Sequence, residues 1–320
     1  MVLHKNILIV INIMTVVATM LIVFNSIFHD VEDEDMARNM MVEVLFSTRN
    51  ALELHHSSES KKDFKHIKMC PLCTIENKYA FVTYVSSASK VQQNIKWYIL
   101  SASKLAKSLR VWESKADLIL LLAEDPYNKV NAFDIGVLES SGWKICRVPF
   151  IEGKSLSKDK AKLLTKIHAW KLTEYERVAV LDADMFVKQN PVNLFEIVEK
   201  NCSLAVTTDK VYNEEGFWNC DLQKEPTSLY VIIPSNEIFE TLKASARRHD
   251  EESLIKQHSN KCNIPMEYNV NLGWKYCHRS IYEEVKDKVI MQHFSVAKPW
   301  KKRECQQWRI EEECEAWIKF

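Results

Sequence analysis

Thr165-Lys166-Ile167-His168-Ala169-Trp170-Lys171-Leu172-Thr173-Glu174-Tyr175-Glu176-Arg177-Val178-Ala179-Val180-Leu181-Asp182-Ala183-Asp184 is the stretch that decides the fold. Its first part reads as the end of a helix, and residues 177–181 read as a buried strand, an apolar run too continuous for a strand with one wet face. That strand delivers two carboxylates at i and i+2, which strand geometry places on one side. The carboxyl ends of strands in α/β sheets are where ligands sit. Paired acids there need a cation, and oxygen-rich sites favour magnesium or manganese, which can bridge the phosphates of a nucleotide. Alone, such a pair is more commonly a solvated strand end. Its context has to discriminate.

Outward from this stretch, short apolar runs alternate with helical patterns from Tyr79 onward, the signature of βα units around a largely parallel sheet. The pattern predicts strands over 80–85, 118–123, 144–149, 177–181, 203–207 and 229–233, and helices over 95–109 and 160–172. There is no internal repeat. After Trp300, Trp308, Ile310 and Trp317 recur among charges and predict a terminal helix packed back on the domain, with an interaction arm as the alternative.

The chain has 320 residues and is 47% apolar, enough for one large α/β domain plus accessory segments. Lys plus Arg and Asp plus Glu both total 43, so no overall basic field attracts a nucleic-acid backbone, and that class of partner is set aside. Residues 7–24 carry no charge and are interrupted only by Asn12, Thr15 and Thr19. As a helix they span ~27 Å, close to the hydrocarbon core of a bilayer. Lys5 precedes this segment while Asp30, Glu32, Asp33, Glu34 and Asp35 follow it, which keeps the tail cytosolic. A cleaved signal peptide is the competing reading, but Asn25-Ser26-Ile27-Phe28-His29 offers no small-x-small cleavage site.

The expected organisation is a cytosolic tail (1–6), a transmembrane signal anchor (7–28), a lumenal stem (29–78), a catalytic domain (79–300) and a helical tail (301–320). Nine cysteines suit an oxidising lumen. Cys70-Pro71-Leu72-Cys73 reads as a structural disulfide rather than half a zinc site, because no second such pair follows. Asn201-Cys202-Ser203 is a candidate glycan acceptor.

The pattern T-K-x-H-x-W-x-L-T-x-Y leading into L-D-A-D, and then Asn190-Pro191 to Leu194-Phe195-Glu196, resembles the glycogenin-like branch of glycosyltransferase family 8. Ala80-Phe81-Val82-Thr83, Pro265-Met266-Glu267-Tyr268-Asn269 and Gln292-His293-Phe294-Ser295-Val296-Ala297-Lys298-Pro299-Trp300 extend the resemblance. It implies a GT-A fold, a Rossmann-like mixed sheet flanked by helices. It also implies a UDP-sugar donor, a manganese (or magnesium) ion, a glycan or glycoprotein acceptor, and transfer with retention of configuration. Asp182, Asp184 and His293 match the metal ligands, and imidazole favours manganese over magnesium. Lys166 matches the basic residue that reaches the donor, and Lys298 the one that neutralises the departing diphosphate. Thr83 and Tyr84 match nucleotide contacts, and Asp250 an acid of the sugar site. The Pro-x-x-Tyr-Asn turn admits a purely structural role.

The chain departs from that family at the sugar side. Pro226-Thr227-Ser228 stands where the family has Asn, a small residue and Gly, and proline supplies neither the amide nor its own N–H. Asp250-Glu251-Glu252 stands for Asp-Gln-Gly. The His-to-Lys-Pro-Trp segment is one residue shorter and lacks its Gly, and the Tyr and Gly-Ala of the first helix are missing around residues 90–98.

The leading expectation is a type II glycosyltransferase of the Golgi or endoplasmic reticulum membrane. A catalytically weakened lumenal scaffold that binds UDP or a glycan is the alternative from another class. A cytosolic self-glucosylating glycogenin conflicts with the apolar segment, and a metal-dependent phosphate hydrolase leaves the T-K-x-H-x-W run without a role.

Overall fold

The computed structural model describes residues 76–86, 93–112, 115–124, 130–151, 162–198, 202–207, 228–246, 249, 261–277 and 279–320. The expected anchor and all but the last residues of the expected stem lie outside the described residues. So do Cys70 and Cys73, Asn201, Pro226 and Thr227, and the Asp250-Glu251-Glu252 segment. Among the described residues no helix is long and apolar enough to cross a membrane.

The order begins β1 (Tyr79–Val85), α1 (Gln93–Arg110), β2 (Ala116–Glu124), α2 (Ala132–Ser141) and β3 (Lys144–Pro149). A 3-10 helix (Lys162–Lys171) and β4 (Arg177–Leu181) follow. These four strands are parallel and lie in the order β3-β2-β1-β4. The chain winds outward from β1 to β3, then crosses back to place β4 on the other side of β1. The crevice at the carboxyl ends of β1 and β4 is therefore a topological switch point, the place where such sheets open to a ligand.

Beyond β4 the sheet continues with β7 (Leu229–Ile232), β6 (Leu204–Thr207) and β8 (Lys261–Ile264), of which β7 alone runs antiparallel to its neighbours. A second, three-stranded sheet joins β5 (Met185–Val187), β10 (Met291–His293) and β9 (Val270–Asn271). β5, β9 and β10 are not announced by sequence periodicity, because two or three residues are too few to show a pattern, and β8, Lys261-Cys262-Asn263-Ile264, lacks the apolar run that marks β6 and β7.

Strand residues alternate between two cores. Phe81, Val85, Leu118, Leu120, Leu122, Ala179 and Leu181 face one, with the apolar stripe Ile95, Ile99, Ala102, Leu105, Ala106 and Leu109 of α1 against them. Ala80, Val82, Ile119, Leu121, Val178 and Val180 face the other, against Leu164, Ile167 and Trp170 and against α4 (Asn236–Ser245), the second helix beyond β4, which follows the short α3 (Leu194–Ile197). A sheet covered on both faces explains the unbroken apolar strands. Each fully buried Val, Leu or Phe contributes about 1.5–3 kcal/mol to that packing.

The helix expected over 160–172 is a 3-10 helix. Its period of three puts Leu164, Ile167 and Trp170 on one ridge and Lys166 and Ala169 on another. After Trp274–Cys277 (α5) and Arg279–Val285 (α6), the segment beyond Trp300 forms α7 (Lys302–Gln307) and α8 (Glu311–Lys319), clasped by the Cys305–Cys314 disulfide. Trp317 of α8 is buried beside Trp300, with centroids 5.8 Å apart. Lys104 of α1 donates to the Ile318 carbonyl at 3.2 Å. A second disulfide, Cys202–Cys262, joins the starts of β6 and β8.

Candidate metal centre and donor cleft

β4 ends at Leu181, and Asp182, Ala183 and Asp184 form the turn that reverses the chain into β5. Met185 N–H donates to the Asp182 carbonyl at 3.2 Å, and Asp182 N–H donates to the Ser228 carbonyl at 2.8 Å. This corrects the reading of the acid pair as strand residues. The two carboxylates come together because a tight turn carries them, and the pleat has no part in it.

The second sheet supplies the third member. In the antiparallel register of β5 and β10, His293 lies opposite Met185, and the next amide, that of Phe294, donates to the Asp184 carbonyl at 3.2 Å. A residue 109 positions away in sequence is thus held beside the acids by backbone pairing. One potential ligand atom from each of Asp182, Asp184 and His293 lies within 4.8 Å of the others. His293 Nε2 is 3.4 Å from Asp184 Oδ1 and 3.8 Å from Asp182 Oδ2.

Two lysines face these acids. Lys166 Nζ lies 2.7 Å from Asp182 Oδ1 and 5.2 Å from the Tyr84 ring centroid. At 1% exposure, Lys166 acts from behind the site rather than from its wall. Lys298 Nζ donates to Asp184 Oδ2 at 2.5 Å and to the Phe294 carbonyl at 2.8 Å. Burial disfavours the Asp184 carboxylate, but the charge of Lys298 and the hydrogen bond and charge of His293 outweigh it and hold the carboxyl well below its usual range. Burial likewise disfavours the Lys298 ammonium, and Asp184 reverses that, so its pKa is raised.

A cleft of about 270 Å³ opens over this group. It is lined by Tyr84, Ser86, Tyr98, both acids, His293, Ser295 and Lys298, with Val85, Leu163 and Ala183. Tyr84 stands where a nucleotide contact is expected. Thr83 is fully buried, and its hydroxyl donates to the Leu181 carbonyl at 3.0 Å, tying β1 to β4 underneath the cleft. Asp250 lies outside the described residues.

The Pro-x-x-Tyr-Asn turn has the structural role. Tyr268 is in the core, and the Asn269 amide bonds the hydroxyls of Ser228 (2.8 Å) and Thr207 (3.0 Å), joining the ends of three chain segments beneath Asp182. Sequence reasoning missed Tyr98, Ser295 and Ser86. Tyr98 had a signal: it is a polar aromatic in the second turn of the helix after β1, at the same edge of the sheet as the acids.

The donor set fits a divalent cation. Two carboxylates and one imidazole are ligands of divalent cations, with cationic side chains at hand for an anionic co-ligand. The parallel-rich mixed sheet, with the acid pair at its switch point, resembles the GT-A fold of glycosyltransferases. Comparison with known proteins agrees at the level of fold: the solved bifunctional glycosyltransferase WbbM matches with a TM-score of 0.52 and 12% identity, over 74% of this chain and 50% of that one.

In sequence, UDP-glucuronate:xylan alpha-glucuronosyltransferase 2 of Arabidopsis thaliana is 28% identical over 165 residues, covering 51% of this chain and 23% of that protein. Glycogenin-1 of Caenorhabditis elegans is 26% identical over 149 residues, covering 42% and 32%. The match thus spans only a minor part of each relative's length. No protein-family profile matches the chain. The chain is a relative of glycosyltransferases of the family 8 type, the group that its own motifs resemble.

Proposed function

We propose that this protein is a retaining glycosyltransferase that moves a sugar from a UDP-sugar to a glycan or glycoprotein acceptor, with a manganese ion held by Asp182, Asp184 and His293. The single observation that carries the reading is the convergence of those three side chains within 4.8 Å at the switch point of the sheet. Breaking the sugar–phosphate bond develops negative charge on the diphosphate, and a bound divalent cation supplies positive charge to that group. Lys298 lines the cleft and adds a second positive charge; Lys166 holds Asp182 in place from behind. No side-chain nucleophile is required when the acceptor hydroxyl enters on the face that the diphosphate leaves. The names of the Arabidopsis relatives make UDP-glucuronate the first donor to try.

The second reading, a scaffold that binds UDP without efficient turnover, is favoured by Pro226, where the resembled family has an asparagine that touches the donor sugar, and by the altered Asp250 region. For location we propose a single-pass type II protein of the Golgi or endoplasmic reticulum membrane, anchored by residues 7–28 with residues 79–320 in the lumen. The charge-free apolar run and disulfides such as Cys202–Cys262 and Cys305–Cys314 support it.

The test is donor hydrolysis by the full chain purified in detergent, with manganese and a panel of UDP-sugars. Manganese-dependent UDP release from one donor is the expected result. Metal-dependent UDP binding without turnover of any sugar would select the scaffold, and a failure to bind UDP with any divalent ion would sink the donor-site reading. Protection of residues 79–320 from protease in intact microsomes is expected, and cleavage there would overturn the lumenal placement.

A further inference from the structure

The Tyr98 side chain lines the cleft together with both acids, His293 and Lys298. An aromatic cluster centred on Trp300 fixes it there. Its ring meets Trp300 edge-on at 5.7 Å, and Trp300 in turn stacks on Trp97 at 5.8 Å and packs against Trp317. Trp300 lies two residues after Lys298, so the same aromatic block anchors the Tyr98 ring and the stretch of chain that carries Lys298, whose ammonium is held by Asp184 and the Phe294 carbonyl. Tyr98 is half-buried; no described residue bonds its hydroxyl, and the side chain lines the cleft, so the hydroxyl is open to a ligand there.

Burial pushes the phenol pKa up, opposed by Lys298 and assisted by Asp184 and Asp182, so the group keeps its proton. It is thus a donor, placed next to an ammonium and to three side chains suited to a cation. That combination complements an anion with several acceptor oxygens and is poorly matched to a neutral ring.

We infer that Tyr98 is a positioning residue for the donor: its hydroxyl donates to a phosphate oxygen of the nucleotide diphosphate, beside Lys298. The inference rests on the nucleotide-sugar reading of the cleft. It adds to it a contact from α1 that depends on the C-terminal aromatic block.

The experiment measures the affinity of the full chain for UDP and for uridine, both with manganese, in the wild type and in Tyr98→Phe. The substitution keeps the ring against Trp300 and removes only the donor. UDP binding should weaken ~10-fold, as for loss of a hydrogen bond to a charged group, while uridine binding stays unchanged. An unchanged affinity for UDP would overturn the inference and leave the proposed function standing. Equal weakening for UDP and uridine would also overturn it, since that marks a packing effect. A wild type that binds no UDP would remove the donor site itself, and the inference with it.

Discussion

Asp117 and Asp184 lie at opposite ends of the same sheet and are almost equally buried, at 4% and 5% exposure. Both carboxyls are held below their usual range against the cost of burial. The means differ. Asp117, near the amino end of β2, accepts hydrogen bonds from Tyr175 Oη (2.8 Å) and Asn77 Nδ2 (2.9 Å), with Lys144 Nζ at 3.3 Å. Those donors stand on neighbouring segments of the scaffold and close around it. Asp184 at the carboxyl end is balanced by Lys298 and His293, and it lines a cleft. Burial and a lowered pKa do not by themselves make an acid functional. What separates the two is whether the balancing charges sit on a surface that a ligand can join.

The largest effect should follow from Asp184→Asn, which removes a charged ligand and keeps the shape. The rate of manganese-dependent UDP release should fall ~10³-fold, the scale seen when preorganised electrostatic stabilisation is removed. Asp117→Asn should leave the rate per folded molecule unchanged and lower stability by about 1–3 kcal/mol, as for an imperfectly satisfied buried polar group. Turnover assays paired with urea melts of both variants check this. Similar rate losses in the two would erase the distinction.

How far the sequence foretold this arrangement depends on length and on locality. The long parallel strands were legible because both faces are buried and the apolar runs are continuous; β5, β8, β9 and β10 were not. The candidate metal triad came from motif resemblance, since no periodicity connects His293 with Asp184. The geometry that unites them is a turn and a two-sheet register. The run Thr165 to Tyr175 was legible as a motif, and Lys166 is the one residue of it expected at the site. Only Lys166 reaches the acids. His168 Nε2–H donates to the Pro149 carbonyl at 2.9 Å, Trp170 packs on Tyr230, and Tyr175 donates to Asp117. Thr83 shows the same limit: its place at the end of a strand was readable, but its inward orientation was not.

His168 sharpens the comparison as a scaffold group that titrates. Burial lowers its pKa from 6.5 to about 4, with the neutral ring against Phe239. Above pH 6.5 the ring is neutral in both folded and unfolded chains, and its full contribution to stability is present. As the pH falls from 6.5 toward 4, the unfolded chain gains a proton that the folded chain refuses, and stability declines by about 3 kcal/mol in all. Below 4 both states are protonated and the loss is complete. Urea melts of wild type and His168→Asn at pH 7.5, 5.5 and 4.5 isolate this part of the slope. A wild-type slope no steeper than the variant's would show that the ring is protonated in the fold.

The smallest effect is expected from Tyr175→Phe. The residue closes the motif that points to a glycosyltransferase, yet its hydroxyl serves only Asp117, which keeps Asn77 and Lys144 as partners. Losing one donor from a network that retains others should cost about 1 kcal/mol of stability and leave UDP release per folded molecule within twofold of wild type. The 3-10 helix gives this substitution its use, because Lys166 and Tyr175 lie on the same short stretch leading into β4. If the two ends of the sheet are independent, the Lys166–Asp182 pair does not sense the change. A tenfold loss of turnover in a variant that melts like the wild type would mean that the stretch transmits strain from the Asp117 network to the acid pair, and the division between scaffold and site would have to be redrawn along it.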